Sequence, residues 1–172
     1  MNCKRAWIWL RRIGHCRGFG IQSPSDYRFV RYVINEHSSY YAYAKIGVND
    51  KWLRRKLGRL YFRLANYLQP GNVADLAGYS DYIHAGCRRA NINNNVSVEA
   101  TLVIAPHDAD TSVLLRDCAV GTTLVVEDIG RHPDSWQAVV ADTRATVTFD
   151  LYYCGIAFFD PGRTKQHYIV NF

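Results

Sequence analysis

V-A-D-L-A-G-Y-S-D-Y, residues 73–82, is an apolar run that ends in an acid and passes through a small-residue turn into a helix-compatible stretch. Strand, turn and helix in that order are how a nucleotide-type cofactor site begins. Glycines there let the backbone approach a ligand, and the new helix offers its free N–H groups. Ala77 stands where the first glycine is expected, and Gly78 alone follows. The signature is present in outline and altered in detail.

Downstream, strands and helices alternate. Asn72 to Leu76 reads as a buried strand, Ser80 to Ala90 as a helix and Thr101 to Ala105 as a second strand. Asp108 is placed to cap a helix running to Asp117, Gly121 turns the chain, and Thr122 to Glu127 is strongly strand-like. Pro133 opens a helix carrying Trp136, Val139 and Val140. Thr146 to Phe159 is rich in β-branched and aromatic residues, Asp160-Pro161-Gly162 forms a turn, and Gln166 to Phe172 gives a last strand. Such alternation predicts a mostly parallel sheet covered on both faces. The connection at 160–162 is too short for a crossover, so the last strand is expected to run antiparallel to its predecessor.

Residues 1–69 read as a helical cap on this core, which spans 70–172, the two making a single domain of 172 residues. Residues 4–13 wind as an amphipathic helix, with Lys4, Arg5, Arg11 and Arg12 on one arc and Ala6, Trp9, Leu10 and Ile13 opposite. So short a helix is marginal alone and is expected to dock its Trp-rich face on the domain. Ser23 is an N-cap with Pro24 at the first helical position and Asp26 in the first turn, and Tyr27, Val30, Val33 and Ile34 share a side. A third helix starts near Asp50 and shows Leu53, Leu57, Leu60, Tyr61, Leu64 and Leu68 at three- and four-residue steps until Pro70-Gly71. Its arginines, Arg54, Arg55, Arg59 and Arg63, read as a solvated face or as a basic groove for a phosphorylated partner.

Composition and charge narrow the classes. A chain 48% hydrophobic and 13% aromatic is globular. No apolar run approaches the roughly 20 residues that span a bilayer, so a soluble protein is expected. Five widely spaced cysteines without a C-x-x-C pair suit reduced thiols in the cytoplasm rather than a disulfide frame or a zinc site. Residues 1–66 carry 14 Lys and Arg against Asp26, Glu36 and Asp50, whereas residues 67–172 carry 7 against 12 acids. The basic front either packs on the acidic back or meets an anionic partner such as a membrane surface or nucleic acid.

Four segments carry a family likeness: G-F-G-I-Q-S-P-S-D-Y-R-F-V (18–30), L-V-V-E-D-I (124–129), V-T-F-D-L-Y-Y-C-G-I-A-F-F (147–159) and K-Q-H-Y-I-V-N-F (165–172). Over nearly its whole length except the middle, the chain resembles bacterial class I S-adenosylmethionine-dependent methyltransferase-like proteins, of Rossmann-like α/β fold. The resemblance implies an acid and glycines after the first strand for the methionine and ribose of the cofactor, and a second acid after the second strand for the ribose hydroxyls. It also implies acids at the ends of strands four and five around the reaction pocket. Asp75 matches the first acid, with Gly78 beside it, but Ala77 and Asp81 fall where glycines are usual. The strand-four Asp-Gly is replaced by Ala105-Pro106, with His107 and Asp108 just beyond, while Glu127 and Asp128 match the paired acids after strand five.

The middle is short. Only 24 residues separate Leu76 from Thr101, where the family places two strands and their helices, about 30 residues per unit. The resemblance therefore implies a sheet lacking two edge strands, in the order 1-4-5-7-6 of the family's numbering with an antiparallel C-terminal strand. Loss of that edge removes the adenine wall and the ribose acid, at about 1.5–3 kcal/mol per charge-assisted hydrogen bond. Glu99 is a displaced substitute at most.

The candidate residues each have two readings. Asp75 is a cofactor ligand or the cap of the following helix. Glu127 and Asp128 lie at a strand's carboxyl end, where open α/β sheets bind ligands, yet Asp128 also suits a capping role. His132 is a base or an ordinary surface histidine. His15 and His167 lack neighbours at metal-ligand spacing, and Ala105 removes the acid that a metal-dependent site would need, so no metal is expected. Two function classes follow: a noncatalytic binding or scaffold protein that has weakened or lost S-adenosylmethionine, pairing as a homodimer through an uncovered strand 1, or an active methyltransferase. In the second, Asp75, Gly78, Glu99 and Glu127 hold the cofactor, and Asp128 or His132 helps deprotonate a substrate hydroxyl.

Overall fold

The computed structural model describes residues 3–172, apart from the side chains of Lys4 and Arg17. Its strands are β1 (Asn72–Asp75), β2 (Asn91–Asn93), β3 (Leu102–Ala105), β4 (Thr123–Glu127), β5 (Val147–Asp150), β6 (Cys154–Phe158) and β7 (Gln166–Ile169). Its helices are α1 (Cys3–Arg11), α2 (Pro24–Phe29), α3 (Trp52–Leu68), α4 (Ser80–Gly86), α5 (Thr111–Asp117) and α6 (Pro133–Ala141). The strands form one sheet in the order β2-β1-β3-β4-β6-β5-β7. All neighbours are parallel except at β6, which runs antiparallel to β4 and β5.

The two-residue pleat of buried strands divides their side chains between two cores. Val73, Leu102, Ile104, Val125 and Ile156 enter one, beneath α3, α4 and the α2 segment that continues as a π turn over Val30–Ile34. Ala74, Val103, Ala105, Leu124 and Val126 enter the other, with Leu114 of α5 and Trp136 and Val139 of α6. Helices α3 and α4 approach closely because two glycines remove side chains between them. A Cβ on Gly58 would stand 2.4 Å from the Tyr82 ring, and one on Gly86 would stand 2.3 Å from the Phe62 carbonyl oxygen.

Several expectations change. The middle segment holds a strand: α4 stops at Gly86, and β2 pairs parallel with β1 through Asn72↔Asn91, Val73↔Ile92 and Ala74↔Asn93. One of the two edge strands taken as absent is thus present in three-residue form, and strand 1 is not the uncovered edge from which dimerisation was argued. Residues 146–159 split into the β5–β6 hairpin, because Tyr152 takes φ 70° and its N–H bonds Asp150 Oδ1 at 2.8 Å. The antiparallel strand is therefore β6. The last strand, β7, runs opposite to β6 but pairs with β5, in parallel. Helix α5 is capped by Asp110 rather than Asp108, with Oδ1 accepting the Ser112 N–H at 2.9 Å. Ser23 does cap α2, although Tyr27 is exposed.

Helix α1 is turned the other way from expectation. Trp9, Leu10 and Ile13 are 51%, 55% and 52% exposed, while Arg5 and, just past the helix, Arg12 face the protein: Arg5 stacks over Trp52 at 3.8 Å and Arg12 bonds Asp150 Oδ1 at 2.5 Å, with Arg11 alone exposed among the three. Lys4, named in the charged arc, has its side chain outside the described residues. Arg12–Asp150 and Arg163–Asp26 join the basic front to the acidic back. No helix among the described residues is long and apolar enough to cross a membrane, and all five cysteines are free thiols.

Candidate functional site

Open parallel sheets bind ligands beyond the carboxyl ends of their strands. Here β1, β3 and β4 end side by side, and the chain leaves them through residues 76–80, 106–110 and 128–132. Asp75 closes β1 and is only 2% exposed. Its Oδ1 accepts the N–H groups of Ala77 at 3.3 Å and Gly78 at 2.9 Å, and its Oδ2 accepts the Tyr79 N–H at 2.6 Å and the Ser80 hydroxyl at 3.2 Å. Both oxygens are engaged by the loop itself. Gly78 takes φ 77°, so the one retained glycine occupies the left-handed position of the turn.

The outer surface of this loop is covered as well. Arg54 of α3 donates to the Gly78 carbonyl oxygen, lies 4.4 Å over the Tyr79 ring and pairs with Asp50 at 3.6 Å. Tyr79, 4% exposed, meets Tyr61 edge-on at 4.7 Å. The Tyr61 hydroxyl donates to Glu127 Oε1 at 2.8 Å. Burial pushes the Glu127 carboxyl above its usual range, opposed by the hydrogen bonds it accepts and by Arg54.

The neighbouring acids diverge. Glu127 turns to the tyrosines, whereas Asp128, with φ 52°, joins His107 and His132 on the other side of the β4 end. Donor atoms of these three lie within 4.8 Å of one another, and the two imidazoles stack at 4.0 Å and 19°. Arg131 Nη1 pairs with Asp128 Oδ2 at 3.4 Å. Glu99 is exposed and precedes β3, near the level where Thr101 N–H bonds the Asn72 carbonyl oxygen at 2.9 Å. That is the amino end of the sheet, so Glu99 does not reach Asp75, Gly78 and Glu127. The sequence reading placed Asp128 and His132 together but left His107 unassigned; its position two residues past a strand end was the available signal.

A second feature lies on α3. Arg63, expected on a solvated face, is buried and donates to the carbonyl oxygens of Val33 at 2.6 Å and Ile34 at 3.1 Å. Lys56 and Arg59, together with Arg55, Arg63 and the single acid Glu36, border a cavity of about 390 Å³, walled by Trp52, Tyr43 and Phe172. Lys56 Nζ sits 4.2 Å over the Phe172 ring, and burial, aided by the Arg63 charge, lowers its ammonium to about 8. Neither Lys56 nor Arg59 has a carboxylate partner among the described residues.

No family profile, curated protein or solved structure matches the chain.

Proposed function

We propose that this protein is a methyltransferase-like α/β domain whose cofactor apex is filled by its own residues and which acts by binding rather than by methyl transfer. The Asp75 carboxylate carries the argument. Its two oxygens already accept four hydrogen bonds from residues 77–80. A ribose or methionine group would have to displace contacts of about 1.5–3 kcal/mol each, beneath Arg54 and Tyr79. The order β1-β3-β4-β6-β5, with its antiparallel strand between two parallel ones, supports the methyltransferase-like part, because the resemblance implies that arrangement.

The partner that the surface favours is anionic. Lys56 and Arg59, free of acid partners among the described residues and flanked by aromatic walls, would hold a phosphate-like group by charge-assisted hydrogen bonds. Calorimetric titration tests both statements. With S-adenosylmethionine and its demethylated product, no heat is expected at millimolar ligand, and micromolar binding abolished by Asp75→Ala would overturn the noncatalytic reading. With inorganic pyrophosphate, binding is expected and should be lost in the Lys56→Met, Arg59→Met pair. Equal binding by that pair would remove the cleft from the proposal.

A further inference from the structure

The geometry points to a binding site for a divalent transition-metal ion, of the zinc and cobalt class, formed by His107, Asp128 and His132. It stands apart from the fate of the cofactor, since none of its donors belongs to the Asp75 loop. The parallel pairing of β3 with β4 sets Ala105 opposite Val126. His107 and Asp128 each follow two residues later, so both emerge at the same height from adjacent strand ends. His132 is brought back to them by a tight turn, in which the Asp128 carbonyl oxygen accepts the N–H groups of Arg131 at 3.1 Å and His132 at 3.2 Å.

The turn is anchored to the β5–β6 hairpin. Asp128 N–H bonds the Tyr153 carbonyl oxygen at 2.7 Å, and Gly130 N–H bonds that of Tyr152 at 2.8 Å. Gly130 is needed for this seat, because a Cβ there would stand 2.6 Å from the Tyr152 ring. Two of the three donors therefore sit on one braced turn, and the third sits on the adjoining strand end.

Donor chemistry selects the ion. Two imidazole nitrogens and one carboxylate oxygen suit zinc, cobalt, nickel or ferrous iron, whereas magnesium and calcium favour all-oxygen shells. Three protein ligands also leave a coordination position for water or a partner's group. At metal–ligand bonds of about 2.0–2.1 Å, donors sit roughly 3–3.4 Å apart. The trio, now within 4.8 Å, closes by a side-chain rotation that unstacks the two imidazoles and turns their nitrogens to a common point, for which exposed His132 has room. Arg131, 60% exposed at its side chain, is the built-in competitor for Asp128 and must swing outward.

The test is equilibrium dialysis and calorimetry of the metal-stripped full chain with cobalt chloride, read together with the visible absorption of the bound ion. One ion per chain is expected, with affinity lowered on the order of 100-fold in His107→Ala and in His132→Ala. His15→Ala, altering an exposed histidine elsewhere, should bind as the parent does. Arg131→Ala should bind several-fold more tightly. His132 is exposed at the start of α6, so its alanine variant retains the fold, checked by circular dichroism. Absence of binding, parent-like affinity in either histidine variant, or equally tight magnesium binding would each overturn the assignment.

Discussion

Replacing Asp75 separates a structural acid from a cofactor ligand. In Asp75→Ala, the N–H groups of Ala77, Gly78 and Tyr79 lose their acceptor together with the Ser80 hydroxyl. The hydroxyl can rotate to another partner. The first two N–H groups are part-buried and can be rehydrated, at about 1 kcal/mol each, while the fully buried Tyr79 N–H bears about 2 kcal/mol of desolvation. A loss of about 3–4 kcal/mol follows, or a fall in Tm on the order of 10 °C for a domain of this size. Asp75→Asn keeps one acceptor oxygen for Ala77 and Gly78 but sets an amide against the Tyr79 N–H, so about half of that loss remains. Urea unfolding followed by tryptophan fluorescence measures both. A ligand acid held ready for a cofactor behaves differently, because its removal leaves stability nearly unchanged or raises it. Asp75→Ala within about 0.5 kcal/mol of the parent would refute the structural reading.

Three further outcomes are expected. Glu127 has its folded pKa raised by burial, so its stabilising contribution is complete below the unfolded value and declines as pH rises through the folded one. Glu127→Gln, which keeps an acceptor for Tyr61, should therefore gain stability relative to the parent as pH rises above the unfolded carboxylate range in urea titrations; an unchanged difference would show that Glu127 is solvated. Lys56, lowered to about 8 by burial, costs stability while charged. Lys56→Met should be more stable at pH 7 by about 1–2 kcal/mol after allowance for partial exposure, with the gain shrinking between pH 8 and pH 10.5 in the same assay. Gly58→Ala should destabilise by about 1–3 kcal/mol despite its better helix propensity, because the added Cβ meets the Tyr82 ring; a more stable variant in thermal melts would show that α4 can move.

The fold was legible where the chain buries apolar runs. Strands β1, β3 and β4 carry continuous buried side chains, and helix α3 repeats leucines on one side. It was not legible where tertiary contact alone makes an element. Asn91-Ile92-Asn93 has neither an apolar run nor strong strand propensity, and becomes β2 through its ladder with β1 and a bond from Asn91 Nδ2 to Asn72 Oδ1 at 3.3 Å. The break within residues 146–159 depends on a tyrosine at positive φ, held by an acid two residues earlier, and no glycine or asparagine marks it. For α1, periodicity defines two faces without saying which turns inward. Trp52 and Asp150 decide that by accepting Arg5 and Arg12, and both lie far away in sequence.

At the site, local motifs and sheet topology led to different answers. Asp75, Gly78 and Glu127 stand out in the sequence because they match a motif, yet their polar atoms are already engaged by neighbours: the loop amides, Arg54 and Tyr61. His107 belongs to no motif, and a search for histidines at helical or short-loop spacing passes over it, since 20 residues part it from Asp128. The adjacency of β3 and β4 was nevertheless implied by the expected 1-4-5 order. In adjacent parallel strands, residues equally far past a paired position must face one another. Counting two places beyond Ala105 and Val126 reaches His107 and Asp128, so that pair follows from strand order together with register, the turn after Asp128 adds His132, and the candidate chemistry moves from the β1 loop to the ends of β3 and β4.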